Sequence, residues 1–137
     1  MGLNRTSIYL DACIAIYFIE EHPQFGDAVR QAIQNVPTRQ FCVSPLVELE
    51  CLVVPLRTAN HRLVAHYEAF FKNQVMLTME NQVYRLAAEL RARHRLKTPD
   101  ALHLATAQYH GCTEIWTNDD RLNHAAGSMA VNLFAGV

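Results

Sequence analysis

Ser7-Ile8-Tyr9-Leu10-Asp11-Ala12-Cys13-Ile14-Ala15-Ile16-Tyr17-Phe18-Ile19 is the stretch on which the fold turns. Its first four residues are short and apolar and read as a buried strand. An acid follows, and then an apolar segment long enough for a helix, which His22-Pro23 breaks. Strand, acid, helix is the unit of an α/β protein, and the rest of the chain repeats it. Residues 25–36 read as an amphipathic helix, Pro37-Thr38-Arg39 as a turn and Phe41-Cys42-Val43 as a second strand. Ser44-Pro45 starts a helix, with Ser as N-cap and Pro at the first helical position, and Pro55 is expected to stop it.

Residues 60–72 read as a further helix, with His61, Val64, Ala65, Glu68 and Phe71 at helical spacing, and residues 74–78 as a third strand. Residues 81–96 form a long helix with Val83, Leu86, Ala87 and Leu90 inward. Thr98-Pro99-Asp100 opens the next helix, with Thr98 as N-cap, and Gly111 ends it. Residues 114–117 are a fourth strand, 118–126 a short helix and 130–133 a fifth strand. The expected fold is one α/β domain over residues 1–137, a mostly parallel central sheet of about five short strands flanked by helices.

Composition narrows the function. The chain carries 12 Lys and Arg against 13 Asp and Glu, a net charge of −1, so it lacks the basic excess of a protein that grips long duplexes through many phosphates. Cys13, Cys42, Cys51 and Cys112 lie in apolar stretches without a CxxC pair, and read as reduced core residues of a cytoplasmic protein. No apolar run reaches the roughly 18–20 residues that span a bilayer, and Met1 to Arg5 show no secretory signal pattern.

The acids carry the functional reading. Sites in open parallel sheets form beyond the carboxyl ends of the strands. Asp11 follows the first strand, the helix bearing Glu50 follows the second, and Asp119 and Asp120 follow the fourth. Asp100 lies in the first turn of a helix that is apolar nearly all round. Each acid taken alone has a plain explanation as a cap or a dipole partner. Four of them at one sheet edge point to a bound divalent cation, because unpaired buried carboxylates are costly and raise one another's pKa. On its helix Glu50 is flanked one turn away by Leu46, Val47, Val53 and Val54, all apolar, so it is expected to face inward. Glu48 occupies the gap in that apolar arc and is expected to face solvent.

Hard oxygen ligands select Mg²⁺, or Mn²⁺ in its place, over Zn²⁺. Such an ion can polarise a phosphodiester, activate water and stabilise the leaving oxygen, and it reverses the local charge that would repel a polyanion. His103, one turn from Asp100, is read as a supporting residue that orients it or a water. Arg57 and Arg121, close in sequence to the helices of Glu50 and Asp119, are weak candidates for phosphate contacts. The run Arg91, Arg93, Arg95 and Lys97 scatters around its helix and reads as a solvated face.

Ile8-Tyr9-Leu10-Asp11, Ser44-Pro45-Leu46-Val47-Glu48-Leu49-Glu50, Thr98-Pro99-Asp100-Ala101-Leu102-His103-Leu104-Ala105-Thr106-Ala107 and Thr117-Asn118-Asp119 together resemble the PIN domain, in particular the VapC-type toxin ribonucleases of type II toxin–antitoxin systems. The resemblance covers nearly the whole chain, in order. It implies a Mg²⁺-dependent endoribonuclease with Asp11, Glu50, Asp100 and Asp119 around the ion, Asp11 and Asp100 being its most direct ligands. It places the Thr117 hydroxyl beside the cluster and Asn118 as a polar neighbour. It also implies a homodimer and an antitoxin partner that blocks the site. Glu48 and Asp120 are extra acids, and either could supplement or replace Glu50 or Asp119. Two other readings compete. One is a PIN-like fold that only binds RNA or protein, against which the intact acid set argues. The other is a phosphomonoesterase of haloacid-dehalogenase type, which needs a second Asp where Cys13 stands.

Overall fold

The structure is a computed structural model that describes residues 6–36 and 40–137; the expected turn at Pro37-Thr38-Arg39 and the segment from Met1 to Arg5 lie outside them. Four strands form one parallel sheet: β1 (Ser7–Leu10), β2 (Gln40–Val43), β3 (Val75–Met76) and β4 (Glu114–Trp116), in the spatial order β3-β2-β1-β4. The connecting helices are α1 (Ala12–Ile19), α2 (Gly26–Gln34), α3 (Pro45–Arg57), α4 (His61–Lys72), α5 (Asn81–His94), α6 (Thr98–Tyr109) and α7 (Asp120–Ala126).

β1 is central. Ile8 pairs with Phe41 on one side and Glu114 on the other, and Leu10 pairs with Trp116. All four β1 residues are buried, as a strand covered by helices on both faces requires. The chain builds outward from β1 to β2 and β3, then returns to lay β4 on the opposite side of β1. That reversal opens a crevice at the carboxyl ends of β1 and β4, where doubly wound sheets hold their ligands.

Some expectations need correction. The fifth strand is absent: after a 3₁₀ turn at Gly127–Met129 only Ala130 bridges the sheet, to Ile115, and the next residues turn away, with the Leu133 amide bonded to the Val131 carbonyl. Pro55 does not stop α3. Its ring is buried and only its missing N–H is lost, while Thr58 bonds back to Val54 and Asn60 to the Pro55 carbonyl. Thr98 is the first helical residue of α6 instead of its cap; Lys97 takes the extended cap position without a capping side chain. Pro99 is tolerated there because the first amides of a helix have no intrahelical partner anyway. On α4 the residues at helical spacing divide: Phe71 is buried, with Tyr67, and Val64 is half-buried, while His61, Ala65 and Glu68 are exposed.

The arc around Glu50 also differs. The buried ridge of α3 is Val47, Cys51 and Pro55, spaced four residues apart, whereas Leu49, Val53, Val54 and Leu56 are exposed large apolar side chains. The apolar arc is therefore half surface, and it does not by itself turn Glu50 inward. Inward Val83, Ala87 and Leu90 of α5 hold as expected, packed against the buried α6.

Candidate functional site

The register of β1 and β4 builds the centre of the site. Leu10 lies beside Trp116, so the next residues, Asp11 and Thr117, are neighbours across the crevice. The Asp11 amide donates to the Trp116 carbonyl at 3.1 Å. Asp11 caps α1 through Oδ1, which accepts from the Ala12 amide at 2.7 Å. Its Oδ2 accepts from the Thr117 hydroxyl at 2.6 Å. The Thr117 Oγ1 in turn accepts the Asp119 amide at 3.1 Å, and Asp119 Oδ1 caps α7 at the Leu122 amide. The plain capping roles of Asp11 and Asp119 are thus real, and each leaves one carboxylate oxygen free of its cap.

α6 brings a second group. His103 is fully buried, and its Nε2 lies 2.5 Å from Glu50 Oε1 and 3.4 Å from Asp11 Oδ1. Its Nδ1 is 2.7 Å from the Tyr9 hydroxyl, which is 2.7 Å from the Ser44 Oγ. Side chains from β1, the β2–α3 junction, α3 and α6 therefore form one polar chain. Burial works against charge on the His103 ring, but the Glu50 hydrogen bond and the Asp11 carboxylate outweigh it and raise its pKa. Burial also drives the Tyr9 hydroxyl well above its usual pKa, with the Ser44 bond opposing. Cys13, whose Sγ lies 3.5 Å from Asp11 Oδ2, is pushed up to about 12, mainly by burial and then by that carboxylate. It stays a neutral thiol.

Asp100 is partly buried, and its pKa is raised by burial first and then by Asp119 and Asp11, with His103 opposing. The four acids thus share one electrostatic neighbourhood. They are not equally close. The ligand atoms of Asp11, Glu50 and His103 lie within 4.8 Å of one another, while Asp100 and Asp119 line an adjoining cavity of about 340 Å³ with Lys97, Asp120 and Arg121. Nor are they equally buried: Asp11 is buried, Glu50 and Asp100 are intermediate and Asp119 is exposed, so four buried acids is a correction to make.

The supporting residues divide. Asn118 donates its side-chain amide to the Tyr17 hydroxyl at 3.1 Å. Glu48 lines a separate cavity with Glu68, Phe71, Lys72 and Met76. Arg121 and Asp120 border the acid site, whereas Arg57 is exposed at the far end of α3. His103, expected as a supporting residue, is the hub of this polar chain. Its signal is the one-turn spacing from Asp100. Tyr9 and Ser44 carried no chemical signal, because a strand tyrosine and a helix cap have ordinary local roles.

The donor set fits a divalent cation. Among the described residues no hydrogen-bond donor engages either Asp100 oxygen, and burial and then the Asp119 and Asp11 carboxylates raise its pKa, as for an acid that lacks a counterion. Asp11 and Glu50, with Asp100 and Asp119 in the adjoining cavity, would be the residues to hold the ion. His103 already does part of this work by bridging Asp11 and Glu50.

Comparison with known proteins gives the same picture. Residues 8–128 match the family model described as PIN domain. The chain is 30% identical to Ribonuclease VapC46 of Mycobacterium tuberculosis, over 94% of this chain and 97% of that one. Among solved structures, VapBC2 from Rickettsia felis, bound to a promoter DNA fragment, superposes with a TM-score of 0.78 at 15% identity, covering 93% of this chain and 98% of that one. A toxin–antitoxin complex from Klebsiella pneumoniae gives 0.74 at 21%, covering 92% and 97%. VapC20 of Mycobacterium tuberculosis, a sarcin–ricin loop cleaving toxin, gives 0.75 at 17%, covering 91% and 98%. At these identities the structural likenesses speak for the fold, and the family match and the 30% relative speak for descent. With its four-stranded parallel sheet and the acids gathered beyond β1 and β4, the chain belongs to the PIN domain family.

Proposed function

We propose that this protein is a Mg²⁺-dependent endoribonuclease, the toxin of a type II toxin–antitoxin pair, with Mn²⁺ able to substitute. The observation that carries the reading is the meeting of Asp11 and Glu50 around His103, with Asp100 and Asp119 coupled to them across one crevice. The name of the VapC46 relative supports ribonuclease action, and the toxin–antitoxin neighbours support an antitoxin partner.

In this reading Asp11, Glu50, Asp100 and Asp119 hold the ion. When bound, it neutralises the acids, polarises the scissile phosphodiester and lowers the pKa of a nearby water. The residues then do the positioning. Thr117 fixes the Asp11 carboxylate through its hydroxyl, and His103 fixes one Glu50 oxygen. The other Glu50 oxygen would accept the proton of the attacking water as its bond to phosphorus forms, and the ribose oxygen that leaves as the ester bond breaks would take a proton from solvent. Arg121 and Lys97, beside Asp100 and Asp119, offset charge on the phosphate. The exposed apolar residues Leu49, Val53 and Leu56 of α3 support a homodimer. No helix among the described residues is long and apolar enough to cross a membrane.

The test is cleavage of defined RNAs by the purified protein. Cutting should require Mg²⁺ or Mn²⁺, stop with a chelator, and disappear in Asp11→Asn and Asp100→Asn while both variants stay folded. Full activity in both would end this assignment. RNA or antitoxin binding without turnover under any divalent metal would favour a binding module.

A further inference from the structure

Beside the acid site lies a second cavity of about 520 Å³, lined by His94 and Arg95 from the end of α5 and by Asp120, Arg121 and His124 of α7. Asp120 and Arg121 also line the acid cavity, so the two spaces share a wall. The charge changes sign across it. The acid cavity sets three carboxylates against Lys97 and Arg121, whereas the second cavity sets Arg95 and Arg121 against Asp120 alone, with two imidazoles as further donors. Among the described residues no carboxylate forms an ion pair with Arg95 or Arg121, so both guanidinium groups are available to an anion.

Arg95 is held there at a cost. Its φ is +55°, in the left-handed region, where a non-glycine side chain is disfavoured and Gly or Asn is the usual occupant. The turn is pinned by its own amide bonding the Arg91 carbonyl and by Arg91 Nε donating to the Leu96 carbonyl at 2.9 Å. Arg91, Arg93 and His94 already place basic groups in the last turn of α5, where they complement the helix dipole, so that role does not require a further cation at Arg95. The left-handed cap that ends α5 sets this long cation one turn of chain before α6 delivers Asp100.

We infer that this cleft binds a backbone phosphate of the RNA strand next to the scissile one, with Arg95 as its principal contact and Arg121 shared between the two phosphates. The inference rests on the ribonuclease reading and names how the same site engages its substrate. The strand enters along α7, one phosphate in the cationic cleft and the next at the acids, with Arg121 between them. This gives a near-neutral protein a grip on a polyanion at the one place where grip is needed.

The test compares steady-state cleavage, in Mg²⁺, of a hexaribonucleotide and of a dinucleotide with a single phosphodiester. Arg95→Asn is the diagnostic variant, because Asn tolerates the left-handed backbone and Arg95 does not line the acid cavity; equal melting temperatures check the fold. For the hexamer its KM should rise ~10-fold with kcat little changed, and the slope of log kcat/KM against log salt should flatten by about 0.7, the value of one phosphate on a single strand. The dinucleotide kinetics should not change, Arg95→Lys should recover most of the hexamer KM, and Arg62→Gln, on α4, should have no effect. An unchanged hexamer KM and salt slope in Arg95→Asn would overturn the cleft while leaving the ribonuclease standing. So would weakened antitoxin binding without any change in the RNA kinetics, which would assign the cleft to a protein carboxylate. A wild-type protein that cuts neither RNA under any divalent metal would remove both readings.

Discussion

Thr117 donates its hydroxyl proton to Asp11 Oδ2 at 2.6 Å while its own Oγ1 accepts the Asp119 amide, so one side chain ties two acids of the crevice together. Thr117→Val keeps the shape and removes both bonds. Its RNA cleavage should fall by ~10–100-fold, as for other groups that orient metal-binding side chains, with Thr117→Ser restoring most of it. Rates measured at saturating Mg²⁺ check this, and a Val variant as fast as wild type would show the hydroxyl to be only structural.

Asp100 has a raised pKa, from burial and then from Asp119 and Asp11. The metal-free folded state therefore holds its proton more tightly than the unfolded chain does. That contribution to stability is fully present below the ordinary aspartate range and is lost as the pH rises through the raised value. Metal-free protein should thus lose melting temperature across this window. Asp100→Asn should remove the slope, melt a few degrees higher than wild type at neutral pH without metal, and lose most of the stabilisation that Mg²⁺ gives. Calorimetry over pH, with and without Mg²⁺, measures all three.

Tyr9→Phe deletes the hydroxyl between His103 Nδ1 and Ser44 Oγ. Both partners are buried, so an unsatisfied polar group should cost about 1–3 kcal/mol in urea unfolding. Tyr9 touches no acid directly, so the activity remaining at low temperature should fall less than in Thr117→Val.

Glu50 and Glu48 stand two residues apart on α3 and line different spaces, the first beside His103 and the second beside Glu68 and Lys72. Glu50→Gln should cut turnover by at least about 100-fold, in the range of lost acid–base catalysts, whereas Glu48→Gln should stay within about twofold. The reverse ranking in a parallel assay would exchange their roles.

Leu56 is 61% exposed and Leu49 58%, on the open face of α3. If this face joins two copies, Leu56→Glu should shift the protein to a monomer in light scattering, since burying an unpaired charge at an apolar contact is costly. An unchanged mass would move the self-association surface elsewhere.

Much of this was legible in the chain. The alternation of short apolar runs with helical segments gave the α/β class, and the rule that sites form beyond strand ends brought Asp11 and Asp119 to one edge. Strong local signals survived: Ser44 caps α3, and Asp11 and Asp119 are caps as well. Weak ones did not. Residues 130–133 have strand-like composition, yet only Ala130 meets the sheet, because pairing depends on where the preceding turn delivers the chain. The apolar arc of α3 did not locate the core, since a helix whose outer face is also apolar has no clear inward side by pattern alone. The spacing of His103 from Asp100 marked it as a supporting residue, but its central place did not show, because its partners Tyr9, Glu50 and Asp11 meet it only through tertiary packing.

The separation of 106 residues between Asp11 and Thr117 has a bearing on synthesis. The central strand is made first, and the strand that completes its open flank is made last. A nascent chain still on the ribosome, with β4 inside the exit tunnel, carries Asp11 without the threonine that orients it and without Asp119. The crevice therefore cannot assemble before β4 is laid beside β1.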